Sequence, residues 1–193
     1  MANRNTTGFG LISQGTLGST PATQGQGKYY IEANDSVSKY NGTAVKQSGG
    51  FIITAQAAIT NTVIGVLNGV FYNAATTEKP TWQNYYSQVT PANSENITAF
   101  VIDNPTQLFV TCFDTAIPIA NMGATFGMAT TTGSTQSGQS TNKMLLAGGS
   151  ATANTWRTVR IAEDPENQDI TVANCSVIVV QNLNQYNNGV TMA

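Results

Sequence analysis

Short apolar runs, each closed by a turn signal, constrain this chain more than anything else in it. The densest is Val63–Tyr72, VIGVLNGVFY. A second, Ile97–Phe113, is split by Asp103-Asn104-Pro105. Runs of about four to eight β-branched, aliphatic and aromatic residues between Gly, Pro, Asn and Asp read as buried strands. Further candidates are Lys28–Ala33, Thr43–Gln47, Phe51–Ala58, where a short helix is the alternative, and Cys175–Val180, reached through Ile170–Val172. In Trp156–Ala162 the pattern places Arg157, Val159 and Ile161 together on one apolar face.

Asn68-Gly69 interrupts the central run. An Asn-Gly pair between apolar flanks marks either a hairpin turn or a bulge in one strand. The arm beyond it, Val70–Tyr72, is short, which favours a single bulged strand. Asn and Asp bond their own backbone in turns and Pro fixes φ. Ile97–Ile102 and Leu108–Phe113 are therefore expected to form a tight antiparallel connection through Asp103–Thr106.

Residues 76–91 read as a loop, and 116–155 as a long Gly/Ser/Thr-rich excursion that faces either solvent or a neighbouring subunit. The sum is about eight to ten short strands with no convincing helix. That is an all-β fold, an antiparallel β-barrel or β-sandwich with long loops.

Residues 1–27 are mostly Gly, Ser, Thr, Gln and Asn, with Phe9, Leu11, Ile12 and Leu17 as apolar exceptions. Such a segment buries too little to order itself. It is either a disordered tail or an extended N-terminal arm that orders on a partner through those four anchors. The single β-rich domain is then 28–193.

Charged residues make up only 9% of the chain, against about 25% in an average domain. The polar surface must be Asn, Gln, Ser and Thr, and little repulsion opposes association. Net charge is −2, with no basic patch for a nucleic acid. No apolar run approaches the length of a membrane helix. MANRNTTGFG lacks an apolar signal core, so Sec export is not expected. Cys112 and Cys175 fit two buried thiols better than a disulfide.

Histidine is absent, which removes His general bases, Ser-His-Asp triads and His-ligated metals. Asp103, Asp114, Glu163 and Asp164 form no evident catalytic pair. The acidic stretch Glu163–Asp169 follows no Ca²⁺-loop order. The expectation is no enzyme, no catalytic residue, no cofactor and no metal. Trp82, Tyr85 and Tyr86 remain as an aromatic cluster. They are either a stacking surface for a sugar or packing over one end of the fold, and packing is the simpler reading.

Five segments occur in a recognisable order: IGVLNGVFY (64–72), KPTWQNYY (79–86), AFVIDNPTQLF (99–109), VRIAEDPENQD (159–169) and SVIVVQNLNQY (176–186). Their order resembles that of head decoration (cement) proteins of tailed bacteriophages, over roughly residues 28–190. The family turn is often Asp-Asp-Pro and its last polar segment often holds a His; this chain has Asn104 and Gln185 there. The resemblance implies a structural virion protein on the outer capsid surface, made in the host cytoplasm. Its implied partner is the major capsid protein, whose lattice it would stabilise, often as a homotrimer. The alternative is a receptor- or glycan-binding appendage of the virion, a fibre or knob, using Trp82, Tyr85 and Tyr86.

Overall fold

The computed structural model describes residues 2–18, 25–55, 62–129, 133–150 and 154–186. Within them lie twelve strands. They are β1 (Ile12–Thr16), β2 (Gly27–Ile31), β3 (Ala44–Ser48), β4 (Phe51–Thr54), β5 (Gly65–Asn73) and β6 (Pro80–Gln83). The rest are β7 (Ile97–Ile102), β8 (Gln107–Cys112), β9 (Thr125–Met128), β10 (Met144–Ser150), β11 (Trp156–Ile161) and β12 (Ser176–Gln181). The only helical turns among the described residues are 3-10 segments at Ala92–Ser94 and Ile119–Asn121.

The strands make two antiparallel six-stranded sheets, compatible with a β-sandwich and not closed into a barrel. The first runs β1-β8-β12-β11-β9-β10. The second runs β2-β7-β5-β3-β4, with β6 also paired to β5. Between the sheets lie Phe109, Phe113, Phe126, Trp156, Val177 and Val179, against Ala44, Val66 and Ile102. Trp156 and Phe109 meet edge to face, centroids 5.7 Å apart. The second sheet has its own core on the other face, with Ile31, Val45, Ile52, Leu67, Val70, Ile97 and Val101. Its edge strands β2 and β4 approach one another around that core.

The central run is one strand with a bulge. Leu67 pairs with Val101 and Gly69 with Phe100, so Asn68 is the extra residue. The bulge marks a change of neighbour. β3 pairs with Gly65 and Val66, and β6 with Val70–Asn73, along the same edge of β5. Close approach explains Gly65: a Cβ there would overlap the Ile102 carbonyl oxygen.

Several expectations are corrected. Asp103–Thr106 is a turn, with Asn104 Oδ1 accepting from the Thr106 amide at 3.0 Å. It does not close a hairpin, because β7 belongs to one sheet and β8 to the other. Turn residues specify a reversal; β8, buried along nearly its whole length, finds its partners β1 and β12 in the opposite layer. The 76–91 loop contains β6, and 116–155 contains β9 and β10. Ile170–Val172 lies in turns.

In β11 the register slips between Thr158 and Arg160. One inserted residue reverses the alternation beyond it. Val159 therefore packs on the outer face of the first sheet while Ile161 reaches the inter-sheet core. Cys112 and Cys175 are free, buried thiols. Parts of the expectations for 1–27, 51–58, 116–155 and the C-terminal end, at 19–24, 56–58, 130–132, 151–153 and 187–193, lie outside the described residues.

Candidate functional sites

Three of the four carboxylates considered for chemistry hold backbone and side chains in place, and Glu163 borders a surface hollow. Asp103 accepts from the Tyr29 hydroxyl at 2.8 Å. Asp114 accepts from the Leu146 amide at 3.0 Å. Asp164 accepts from Asn167 Nδ2 at 2.7 Å. No three His, Cys, Asp or Glu side chains converge on a metal position among the described residues.

Residues 2–18 are built into the sandwich rather than extending from it. Asn3 Nδ2 donates to the carbonyls of Asp169 and Ala173, each at 2.9 Å. Arg4 pairs with Glu166 at 2.6 Å. β1 then joins the first sheet as its edge strand, and the Leu17 amide donates to the Thr106 carbonyl at 2.8 Å. Leu11 is 2% exposed, inside the inter-sheet core. As a partner anchor it is corrected: its side chain is already enclosed by this chain. Ile12 and Leu17 are each 48% exposed, and Phe9 is half-buried.

Phe9, Ile12 and Leu17 border one trench on the outer face of the first sheet. Its hollows, of about 400, 330 and 320 Å³, share Gln14. Leu108, Val110, Val159 and Ile178 make an apolar floor. Arg160, Glu163 and Asp164 stand on the side opposite β1. Register explains the alignment: Ile12 pairs with Val110, Val110 with Ile178, and Ile178 with Arg160. Residues paired across strands share a face. The slip at Gln14 interrupts the exposed edge of β1, a common way to blunt an edge strand.

The aromatic trio separates. Tyr86 is fully buried and donates its hydroxyl to the Asp35 carbonyl at 2.6 Å. Burial first, then the nearby Asp35, pushes its pKa up to about 12. Lys39 Nζ lies 5.2 Å from the Tyr86 ring centroid and 2.5 Å from Asp35 Oδ2. Burial lowers the Lys39 pKa despite the opposing effect of Asp35. Tyr85 stacks on Tyr40 at 5.6 Å and donates to the Thr135 carbonyl, tying down the 133–140 loop. Trp82 alone is open, 58% exposed. A common platform of Trp82, Tyr85 and Tyr86 is corrected, since Tyr86 fills the second core.

Trp82 has other aromatic company. It pairs with Phe71, Phe71 with Thr98, and Thr98 with Tyr30, in a row across β6, β5, β7 and β2. The neighbouring row holds Gly69, Phe100 and Lys28. Phe71 is 39% and Tyr30 45% exposed. The same face of the second sheet is packed under the first sheet at Val66 and Ile102 and bare beyond them. Sequence reading missed Phe71, Phe100 and Tyr30, because only strand register brings them beside Trp82.

Comparison of the chain with protein-family models, curated proteins and solved structures finds no match. The fold and these two surfaces define an all-β protein with an apolar trench and an exposed aromatic face.

Proposed function

We propose that this chain is a non-enzymatic virion protein that binds the outer surface of a phage capsid and cements the lattice of the major capsid protein. The observation that supports this best is the trench beside β1, with exposed Ile12 and Leu17 on its margin. An apolar floor with a polar rim suits protein–protein contact. The order of segments resembling decoration proteins gives the partner class. Low charge leaves few like-charge penalties between closely spaced copies, and a homotrimer would multiply modest contacts over a symmetric shell. The reading includes no nucleic acid and no membrane. No helix among the described residues is long and apolar enough to cross one.

The test is co-sedimentation of purified protein with expanded, undecorated heads. Binding should saturate at a stoichiometry set by the lattice, and Ile12→Asp with Leu17→Asp should abolish it. Failure to bind any capsid form would sink the reading. The second reading, a receptor- or glycan-binding appendage, draws on the exposure of Trp82 but loses Tyr86 from its surface.

A further inference from the structure

We propose that the bare half of the second sheet's face binds an acidic carbohydrate, a chain of pyranose sugars bearing carboxylates. This site is separate from the trench and does not rest on the capsid reading.

Three observations carry it. First, Trp82 is seated on Gly69: a Cβ at Gly69 would come within 2.8 Å of Trp82 Cζ2 and 3.1 Å of Cε2. The indole covers the glycine and leaves its remaining surface open to solvent. An aromatic ring held by its own backbone is preorganised for stacking and loses little freedom on binding.

Second, the row is not a continuous apolar patch. Thr98 separates Phe71 from Tyr30. Thr98 is half-buried and Tyr30 is 45% exposed, so the row presents polar as well as aromatic surface. Rings alternating with hydroxyls match the CH faces and hydroxyl rims of pyranose sugars better than they match a dry protein interface. Four strands at a spacing of about 4.8 Å put Trp82 and Tyr30 about 14 Å apart, longer than one sugar ring.

Third, a cation borders the row. Lys28 Nζ lies 5.9 Å from the Tyr30 ring centroid, and no described carboxylate pairs with it. The ammonium stands beside the stacking row, where a sugar carboxylate would meet it. That charge complementarity selects an acidic over a neutral chain.

The test uses the full chain and two probes, hexagalacturonate and neutral maltohexaose, followed by tryptophan fluorescence. Trp156 is 1% exposed, so a response reports Trp82. The expected result is saturable binding of hexagalacturonate, weakened about tenfold or more by Trp82→Ala, retained in Trp82→Phe and weakened by added salt. Lys28→Gln should erase the preference over maltohexaose. These side chains are exposed, and unchanged thermal melting confirms that the variants fold. No binding, equal binding of the two probes, or binding indifferent to Trp82→Ala overturns the proposal. So does light scattering showing that this face instead joins two copies of the chain, with Trp82→Ala giving monomers.

Discussion

Asn41 Nδ2 donates to the carbonyl of Asn68 at 2.8 Å. Asn68 is the extra residue of the β5 bulge, and the side chain supplies its carbonyl with a partner. The next residue of the Asn41-Gly42 turn continues the link, with the Gly42 amide donating to the Leu67 carbonyl at 2.9 Å. The bulge and the turn thus hold one another, and β5 can change neighbours from β3 to β6 at that point.

Asn41→Ala should therefore destabilise the fold by about 1–3 kcal/mol, the usual cost of stranding a part-buried polar group. Asn41→Asp should do no better, because an ionised carboxylate has no hydrogen to donate. Urea denaturation of the two variants measures both.

The two glycines of β5 should respond differently to alanine. At Gly65 the obstruction is the Ile102 carbonyl oxygen on the neighbouring strand, so backbone must move, at a cost of about 1–3 kcal/mol or more. At Gly69 the nearest atom belongs to the exposed Trp82 side chain. Gly69→Ala should cost less and shift Trp82 emission. Equal losses of stability would contradict the close approach at Gly65.

Adjacent residues near β1 should divide stability from binding. Leu11→Ala should cost about 2–5 kcal/mol, as for other buried leucines. Ile12→Ala should leave the melting temperature almost unchanged and weaken attachment to heads. Deleting residues 2–17 should destabilise the domain, because it removes both an edge strand and a core side chain. A truncated chain that melts like the full one would show that this segment is a dispensable arm.

Lys39 is fully buried and the Asp35 side chain is 14% exposed. Asp35→Ala should be strongly destabilising, about 3–5 kcal/mol, because it strands a buried ammonium. Lys39→Met, which removes the charge and keeps the stem, should cost less. Chemical denaturation of the two variants gives the order.

Alkaline pH should unfold the protein. Burial pushes the Cys112 and Cys175 thiols from an ordinary 9.0 up to about 11, and Tyr86 from 10.0 up to about 12. Tyr29 and Tyr72 move the same way, first through burial. A folded-state pKa above the unfolded one means the folded chain holds the proton more tightly. That stability is fully present below about pH 9 and is lost as pH rises through 11 and 12. Lys39 acts oppositely, since its lowered pKa adds stability as pH rises toward its ordinary 10.5, but it stands against several thiols and phenols. With no histidine in the chain, the melting temperature should be level from pH 6 to 8 and fall above about pH 9.5.

Strand content was legible where a run is buried on both faces. Ser176–Gln181 is buried throughout and reads as an unbroken apolar run up to Val180. The bulge at Asn68-Gly69 was legible too, because a hairpin would have left too short a second arm. β6, β9 and β10 were not: each is a brief apolar patch inside a polar, Gly- or Pro-punctuated stretch, and they become strands by pairing with β5, β11 and β9 in turn.

Local chemistry thus determined that this chain is all-β, where most of its reversals fall, and that it lacks histidine chemistry. Tertiary structure decided the layer each strand joins and the neighbours of each side chain. Asp103–Thr106 reads as the same turn whether it closes a hairpin or crosses between sheets, and only the burial of β8 distinguishes the two. Leu11 and Ile12 are adjacent apolar residues in a polar segment, yet opposite faces of the chain send one into the core and leave the other on the trench. Trp82 finds Phe71 and Tyr30 through pairing between strands far apart in sequence. Register is set by the summed packing of whole strands, and no local window contains it.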